Sequence, residues 1–312
     1  MSWVFLLLAV GSGVYCLLVV VAARRYLSAQ PPPLQAEIPL SVLKPLHGLD
    51  AGLESNLRTI FEQDYSSYEI LFAVRTEADP SVPIVRRLQA EYPHIPSRVL
   101  LVGEPPWANA KVWSLEQMTA AATHEILVMS DSDIRVDPGF LRTIAAEFQD
   151  PRVGVSSCPY RAVPGPSSAA STLEAIGMNT EFLSTALVAR MVEGMKFALG
   201  PTLTARKQVI ADAGGWPHLA EFLAEDFVLG NSAAEKGWTV LFSSYVVEHH
   251  IGAQAWPASI SHRLRWNRST RRSRPDGYVG QLFTNPLPLV LLLLLARPEW
   301  WPVALAVLAA RI

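Results

Sequence analysis

Glu125-Ile126-Leu127-Val128-Met129-Ser130-Asp131-Ser132-Asp133 is the stretch that decides the fold. Its apolar part reads as a buried strand. The chain then turns away at two carboxylates one residue apart. Such a pair at a strand's end can share a hard cation, and a cation held there binds phosphate oxygens. On this stretch alone a solvated turn fits equally well.

The flanking sequence repeats a strand-helix alternation. Strands are predicted at Ser41 to Leu43, Glu69 to Val74, Arg98 to Val102 and Val153 to Ser157. Helices are predicted at Gly52 to Gln63, Val82 to Tyr92, Val112 to Ala122 and Pro138 to Phe148. In the first helix, Leu53, Leu57, Ile60 and Phe61 share one face. This β-α-β order predicts an α/β domain with a mostly parallel, Rossmann-like sheet and helices on both faces. Ligands of such sheets bind beyond the carboxyl ends of the strands. Asp79 and the Asp131/Asp133 pair fall there.

Beyond Ser157 the pattern changes. Ser168 to Val192 reads as one long helix or a broken pair, with apolar residues on several faces. Gly200-Pro201-Thr202 and Gly214-Gly215-Trp216-Pro217 are loop signals. Phe222 to Lys236 is helical and contains Glu225-Asp226. Thr239 to Ser243 and Val246 to Glu248 are strand-like. Ile260 to Arg272 is a strongly basic helix.

Hydrophobic residues make up 50% of the 312-residue chain and charged ones 17%, with a net charge of −2. That composition excludes a disordered chain, and the lack of a basic excess argues against a nucleic-acid partner. Cys16 and Cys158 have neither zinc-site nor disulfide-framework spacing and read as free thiols. The apolar excess sits at the two ends. Trp3 to Ala23 carries no charge and is long enough to span a bilayer. Arg24-Arg25 follows the run, whereas a cleaved signal peptide has its basic residues before it. The expectation is an uncleaved anchor with its following side in the cytoplasm. The C-terminal apolar halves, Pro286 to Ala296 and Trp300 to Ala310, are each short for a span. A kinked span, a re-entrant hairpin, or a longer helix cut by the end of the sequence all fit. The predicted organisation is a transmembrane anchor at 1–25, a proline-rich linker at 26–36, a cytoplasmic catalytic domain at 37–275 and a membrane-associated or transmembrane segment at 276–312. The protein is placed in the inner or cell membrane.

Four groups line up in order: Asp79, Asp131/Asp133, Glu225-Asp226 and His262-Arg263-Leu264-Arg265-Trp266. This order resembles that of inverting glycosyltransferases with a GT-A fold. Val42 through Gly48, Leu57 through Tyr65, Asp79-Pro80, Asn109-Ala110-Lys111, Asp131 through Val136, Ala224 through Phe227 and Arg265-Trp266 are similar to the ceramide glucosyltransferase family, which includes bacterial hopanoid-associated members. Arg274-Pro275, Gly277-Tyr278 and Asn285 through Pro288 are more like the hopanoid-associated branch. The resemblance covers roughly residues 37 to 290.

The resemblance implies transfer of a hexose or N-acetylhexosamine from a UDP-sugar to a hydroxyl of a membrane lipid, a ceramide or a hopanoid. It implies Mg²⁺ or Mn²⁺ on Asp131 and Asp133, Asp133 being the more variable position in the family. Asp226 is implied as the general base. Glu225 faces another side of the same helix, so one of the two is expected to be structural. Asp79 is implied beside the uracil and ribose, with an N-cap for the following helix as its other reading. Lys44, Asn109 and Lys111 are expected in or beside loops at the nucleotide. Arg265 suits a diphosphate and Trp266 a stacking wall. His262 stands where the family has Gln or Arg, which weakens its implied donor contact. His249 or His250 could complete the metal's coordination, but a core or surface histidine fits better. Two other functions fit parts of the chain: a fragment of a processive polysaccharide synthase, and a non-catalytic nucleotide-sugar-binding membrane protein.

Overall fold

The strand ending at Ser130 is buried at every residue, and the sheet it anchors places the carboxylate pair. The computed structural model describes residues 2–311. In chain order its elements begin with α1 (Ser2–Leu27), β1 (Leu40–Pro45), α2 (Leu53–Phe61), β2 (Tyr68–Val74), α3 (Val82–Glu91) and β3 (Ser97–Leu101). There follow α4 (Ala110–Ala121), β4 (Ile126–Ser130), β5 (Ile134–Arg135), α5 (Phe140–Glu147), β6 (Val153–Ser157) and β7 (Tyr160–Pro164). Next come α6 (Ala169–Gly177), a π-helical turn (Met178–Phe182), α7 (Leu183–Glu193), β8 (Thr202–Arg206), α8 (Lys207–Asp212) and α9 (Gly215–Leu219). The chain continues through α10 (Glu225–Glu235), β9 (Thr239–Phe242), β10 (Val247–Ile251), α11 (Trp256–Ser273), α12 (Pro275–Gly280), α13 (Pro286–Ala296) and α14 (Trp301–Ala309).

These elements form two units. One comprises Gln30–Ala175 and Met195–Ser259. The other comprises the N-terminal residues up to Ala29, Ile176–Gly194 and the residues from Ile260 onward. The second unit thus takes in segments that the predicted 37–275 domain had included.

In the first unit the larger sheet has the order β3-β2-β1-β4-β8-β6-β9. β8 is antiparallel to β4 and β6, and the other pairs are parallel. The strand order therefore reverses between β1 and β4, and the carboxyl ends of those strands carry Lys44 and Asp131. That is the switch point at which open α/β sheets place ligands. The apolar face expected on α2 is buried through Leu53, Leu57, Ile60 and Phe61. Removing one such side chain, as in Leu57→Ala, costs about 2–5 kcal/mol. A smaller sheet, β5-β10-β7, pairs His249 with Ile134.

β8 departs from the sequence expectation, which had a loop at Thr202. Both of its faces are covered, and the polar Thr202 and Thr204 are buried.

The second unit packs α1 against α7, α13 and α14. Ser12 Oγ donates to the Phe283 carbonyl at 2.7 Å. Trp3 meets Trp300 edge-on at 5.7 Å. Among the described residues, Trp3–Leu27 is the one single helix long and apolar enough to cross a membrane. Pro275–Phe283 and α13 pass the same test only as a pair, bent by 57°. The long Ser168–Val192 segment is a pair of helices joined by the π turn.

Candidate active site

Lys44, Asn109, Lys111, Asp131, Asp133, Glu225 and Asp226 come together in the first unit. Asp131 follows β4, and its N–H donates to the Pro201 carbonyl at 3.0 Å. Its own carbonyl accepts from Lys44 Nζ at 2.6 Å. Lys44 also donates to Ser130 Oγ at 3.1 Å. Lys44 is wholly buried near the carboxyl end of β1, beside the loop that follows it. Burial pulls its pKa down to about 8 against the opposing charges of Asp131 and Asp133. Lys44 is a cation beneath the turn and fixes its backbone.

Asp133 is held from β10. Its Oδ2 lies 2.8 Å from His249 Nε2, and its carbonyl accepts from the His250 N–H at 2.8 Å. His249 is burial-disfavoured as a cation, but Asp133 outweighs this and raises its pKa. His249 packs edge-on against Tyr160 at 5.5 Å. The smaller sheet therefore puts an imidazole on the second carboxylate, a contact between residues 116 apart in sequence. Asp133 Oδ1 is buried with no hydrogen-bond partner in the protein.

That orphaned oxygen tests whether the site fits a metal. A buried carboxylate oxygen without a donor is costly unless something else binds it. Asp131 and Asp133 offer hard carboxylate oxygens, a donor type suited to Mg²⁺ or Mn²⁺. The residues fit the ion, although among the described residues no group of three His, Cys, Asp or Glu is already gathered around one point.

The second carboxylate pair opens α10. Asn109 caps α4, its Oδ1 accepting from the Val112 N–H at 3.3 Å. Its Nδ2 donates to Glu225 Oε2 at 3.2 Å and to the Phe222 carbonyl at 3.3 Å. Glu225 Oε1 lies 3.9 Å from Lys111 Nζ. Glu225 is the member of the pair engaged in holding the loop. Asp226 is partly buried beside it. Burial and the Glu225 charge push its pKa up to about 7, with Lys111 opposing. Lys111 Nζ reaches Asp131 Oδ1 at 2.6 Å and the Gly200 carbonyl at 3.3 Å. Burial alone would lower its pKa, but Asp131 and Glu225 raise it, so Lys111 stays charged. Lys111, Gly200, Glu225 and Asp226 line one small pocket.

Asp79 lies past the end of β2 and is buried. Its Oδ1 accepts from the Ser81 N–H at 2.9 Å and from Ser81 Oγ at 2.7 Å. Its Oδ2 accepts from the Gly48 N–H at 3.1 Å. Burial opposes ionisation, yet these donors hold its pKa below the usual range. Asp79 thus ties the start of α3 to the loop after β1.

His262, Arg265 and Trp266 lie on α11 in the second unit. Within that unit the Trp266 ring sits between His262 at 4.8 Å and Phe182 of the π turn at 5.6 Å.

The model of glycosyl transferase family 21 matches residues 1–312. The chain belongs to glycosyl transferase family 21. This family 21 chain is 28% identical over 208 residues to ceramide glucosyltransferase 1 of Caenorhabditis elegans, covering 66% of this chain and 44% of that one. It is 32% identical over 115 residues to ceramide glucosyltransferase of Komagataella phaffii, covering 36% and 22% respectively. The chain spans about half or less of the length of these relatives. Among solved structures, the mannosyltransferase PcManGT of Pyrobaculum calidifontis, in complex with GDP-Man and Mn²⁺, superposes with a TM-score of 0.62. The identity is 20%, and coverage is 99% of this chain and 86% of that one. TarS 1–349 of S. aureus gives 0.50 at 14% identity, covering 88% of each. At these identities the likeness is one of fold, and it agrees with the expected GT-A architecture.

His249 is the residue that the sequence left among core or surface histidines. Its place opposite Asp133 depends on β10 pairing with β5. The available signal was weak: two histidines at the end of a strand-like run.

Proposed function

We propose that this family 21 chain transfers a hexose or N-acetylhexosamine from a UDP-sugar to a hydroxyl of a membrane lipid, with inversion at the sugar. The observation that carries this is Asp226, an acid near neutrality at the start of α10. Lys111 lies between its neighbour Glu225 and the Asp131 carboxylate. Charge for a diphosphate and a base for a hydroxyl are thereby built into one site.

The reaction is a displacement at C1. The lipid hydroxyl oxygen forms a bond to C1 as the bond from C1 to the phosphate oxygen breaks, and UDP leaves with that electron pair. Asp226 accepts the hydroxyl proton. Its raised pKa makes it a stronger base than a solvated aspartate, and it is still ionised in a large fraction of molecules at neutral pH. Asp131 and Asp133 would hold Mg²⁺ or Mn²⁺, which supplies neutralising charge to the departing diphosphate. His249 keeps Asp133 turned for that task, Lys44 fixes the turn from below, and Asn109 holds Glu225. Asp79 presents the loop at Gly48 beside the nucleotide. Arg265 and Trp266 are assigned to the diphosphate and the acceptor on the family resemblance, with His262 packed on the tryptophan.

α1 supports a membrane anchor, and Arg24-Arg25 at its end supports a cytoplasmic catalytic domain. The apolar surface of the second unit suits a lipid acceptor. Ceramide is the acceptor favoured by the relatives' names, and a hopanoid polyol is the alternative suggested by the Arg274–Pro288 motifs. The test is UDP release by the purified chain with a panel of UDP-sugars, ceramides and hopanoids, followed by mass spectrometry of the lipid. Release that depends on a lipid hydroxyl supports the assignment, and release into water alone, with no glycosylated lipid, refutes it.

A further inference from the structure

We infer that Lys111 makes divalent-cation binding depend on the nucleoside diphosphate, acting as the protein's own cation on Asp131 until a diphosphate gives it another partner. This rests on the proposed role of Asp131 and Asp133 as the metal-holding pair.

Three observations lead there. The Lys111 ammonium lies 2.6 Å from Asp131 Oδ1, so the protein itself already neutralises one member of the metal-holding pair. Asp133 is engaged on one side by His249, which leaves only its Oδ1 without a partner. Besides the Gly200 carbonyl at 3.3 Å, Lys111 has a further carboxylate acceptor within reach, Glu225 Oε1 at 3.9 Å, and its side chain is 30% exposed. The ammonium therefore has room to move and somewhere to go.

A divalent ion arriving alone must separate this ion pair and leave a charged lysine against a doubly charged cation. Like charges at such a distance repel strongly where solvent is limited. A diphosphate changes the balance. Its oxygens would accept hydrogen bonds from the displaced ammonium and bring negative charge beside an ion held by Asp131 and Asp133. The ion and the diphosphate then stabilise each other, and Lys111 is the reason that neither is held firmly alone. Such reciprocity is required of any pair of coupled ligands.

The test is a Mn²⁺ titration followed by electron paramagnetic resonance of the free ion, on the full chain in detergent, with and without UDP. The wild-type protein should bind Mn²⁺ roughly tenfold or more tighter in the presence of UDP. Lys111→Gln and Lys111→Met should bind Mn²⁺ without UDP roughly tenfold tighter than the wild type, with most of the UDP dependence gone. Lys111→Arg, which keeps the charge, should retain the wild-type pattern. An unchanged Kd for Mn²⁺ alone in both neutral variants overturns the inference while leaving the metal assignment standing. Failure of every protein to bind Mn²⁺, with or without UDP, overturns the metal assignment itself and the inference with it.

Discussion

The carboxylate of Asp226 rests against the bare Cα of Gly200: a Cβ at that glycine would stand 2.8 Å from Asp226 Oδ2. The same helix makes a second close approach one turn later. A Cβ at Gly230 would lie 2.5 Å from the Phe197 carbonyl carbon and closer still to the Ala198 nitrogen. The start of α10 is therefore seated on the 197–200 segment by two glycines, and the height of Asp226 follows from them. Gly200→Ala should lower kcat on the order of a hundredfold, since a misplacement of about 1 Å has that effect. UDP binding by calorimetry should change little. A kcat equal to wild type would show that the carboxylate position is not set here.

The raised pKa of Asp226 sets a pH dependence. A base must be deprotonated, so turnover should rise with pH through about 7 and then level off. The stability effect has the opposite sign. The folded-state pKa lies above the ordinary value of 3.8, so the folded chain holds the proton more tightly than the unfolded one. That stabilisation is complete below the ordinary pKa and is lost as pH rises through about 7. Asp226→Asn should therefore raise the Tm at pH 8 relative to wild type and have little effect at pH 4. Thermal melts at the two pH values check it.

His249 orients Asp133 through Oδ2. Groups that hold a metal-binding side chain in place typically contribute about 10–100-fold in metal affinity. His249→Ala should weaken Mn²⁺ binding in the presence of UDP by roughly that factor. UDP binding without metal should hold. Mn²⁺ titration with UDP present reads the difference directly.

Lys44 acts on stability as well as on the site. Lys44→Met removes the donor to Ser130 Oγ and to the Asp131 carbonyl. A buried acceptor left without its donor costs about 1–3 kcal/mol. Urea unfolding should show a loss of that order, where an exposed nucleotide-binding lysine would show almost none.

The sequence makes the core strands β2 and β4 legible because they are largely apolar runs bounded by turn residues. It makes Asp131 legible because a carboxylate pair ends one of them. β8 is hidden because two of its buried residues are threonines and it follows a Gly-Pro loop signal directly. The setting of Lys44 is hidden for a different reason. Lysines are almost never fully buried unless paired, and its acceptors at Ser130 and Asp131 become neighbours only when β1 pairs with β4. The ion pair between Lys111 and Asp131 and the contact between His249 and Asp133 are products of tertiary pairing, which periodicity does not record. Asp226 was legible through its neighbour Glu225 and the motif order. Its raised pKa needed the folded site.

The most direct test of the central claim is the turnover of Asp226→Asn with a UDP-sugar and a lipid acceptor that the wild type uses. Lipid glycosylation should fall by roughly 10²–10⁴-fold while UDP-sugar still binds with wild-type affinity. Full retained turnover in Asp226→Asn would contradict it.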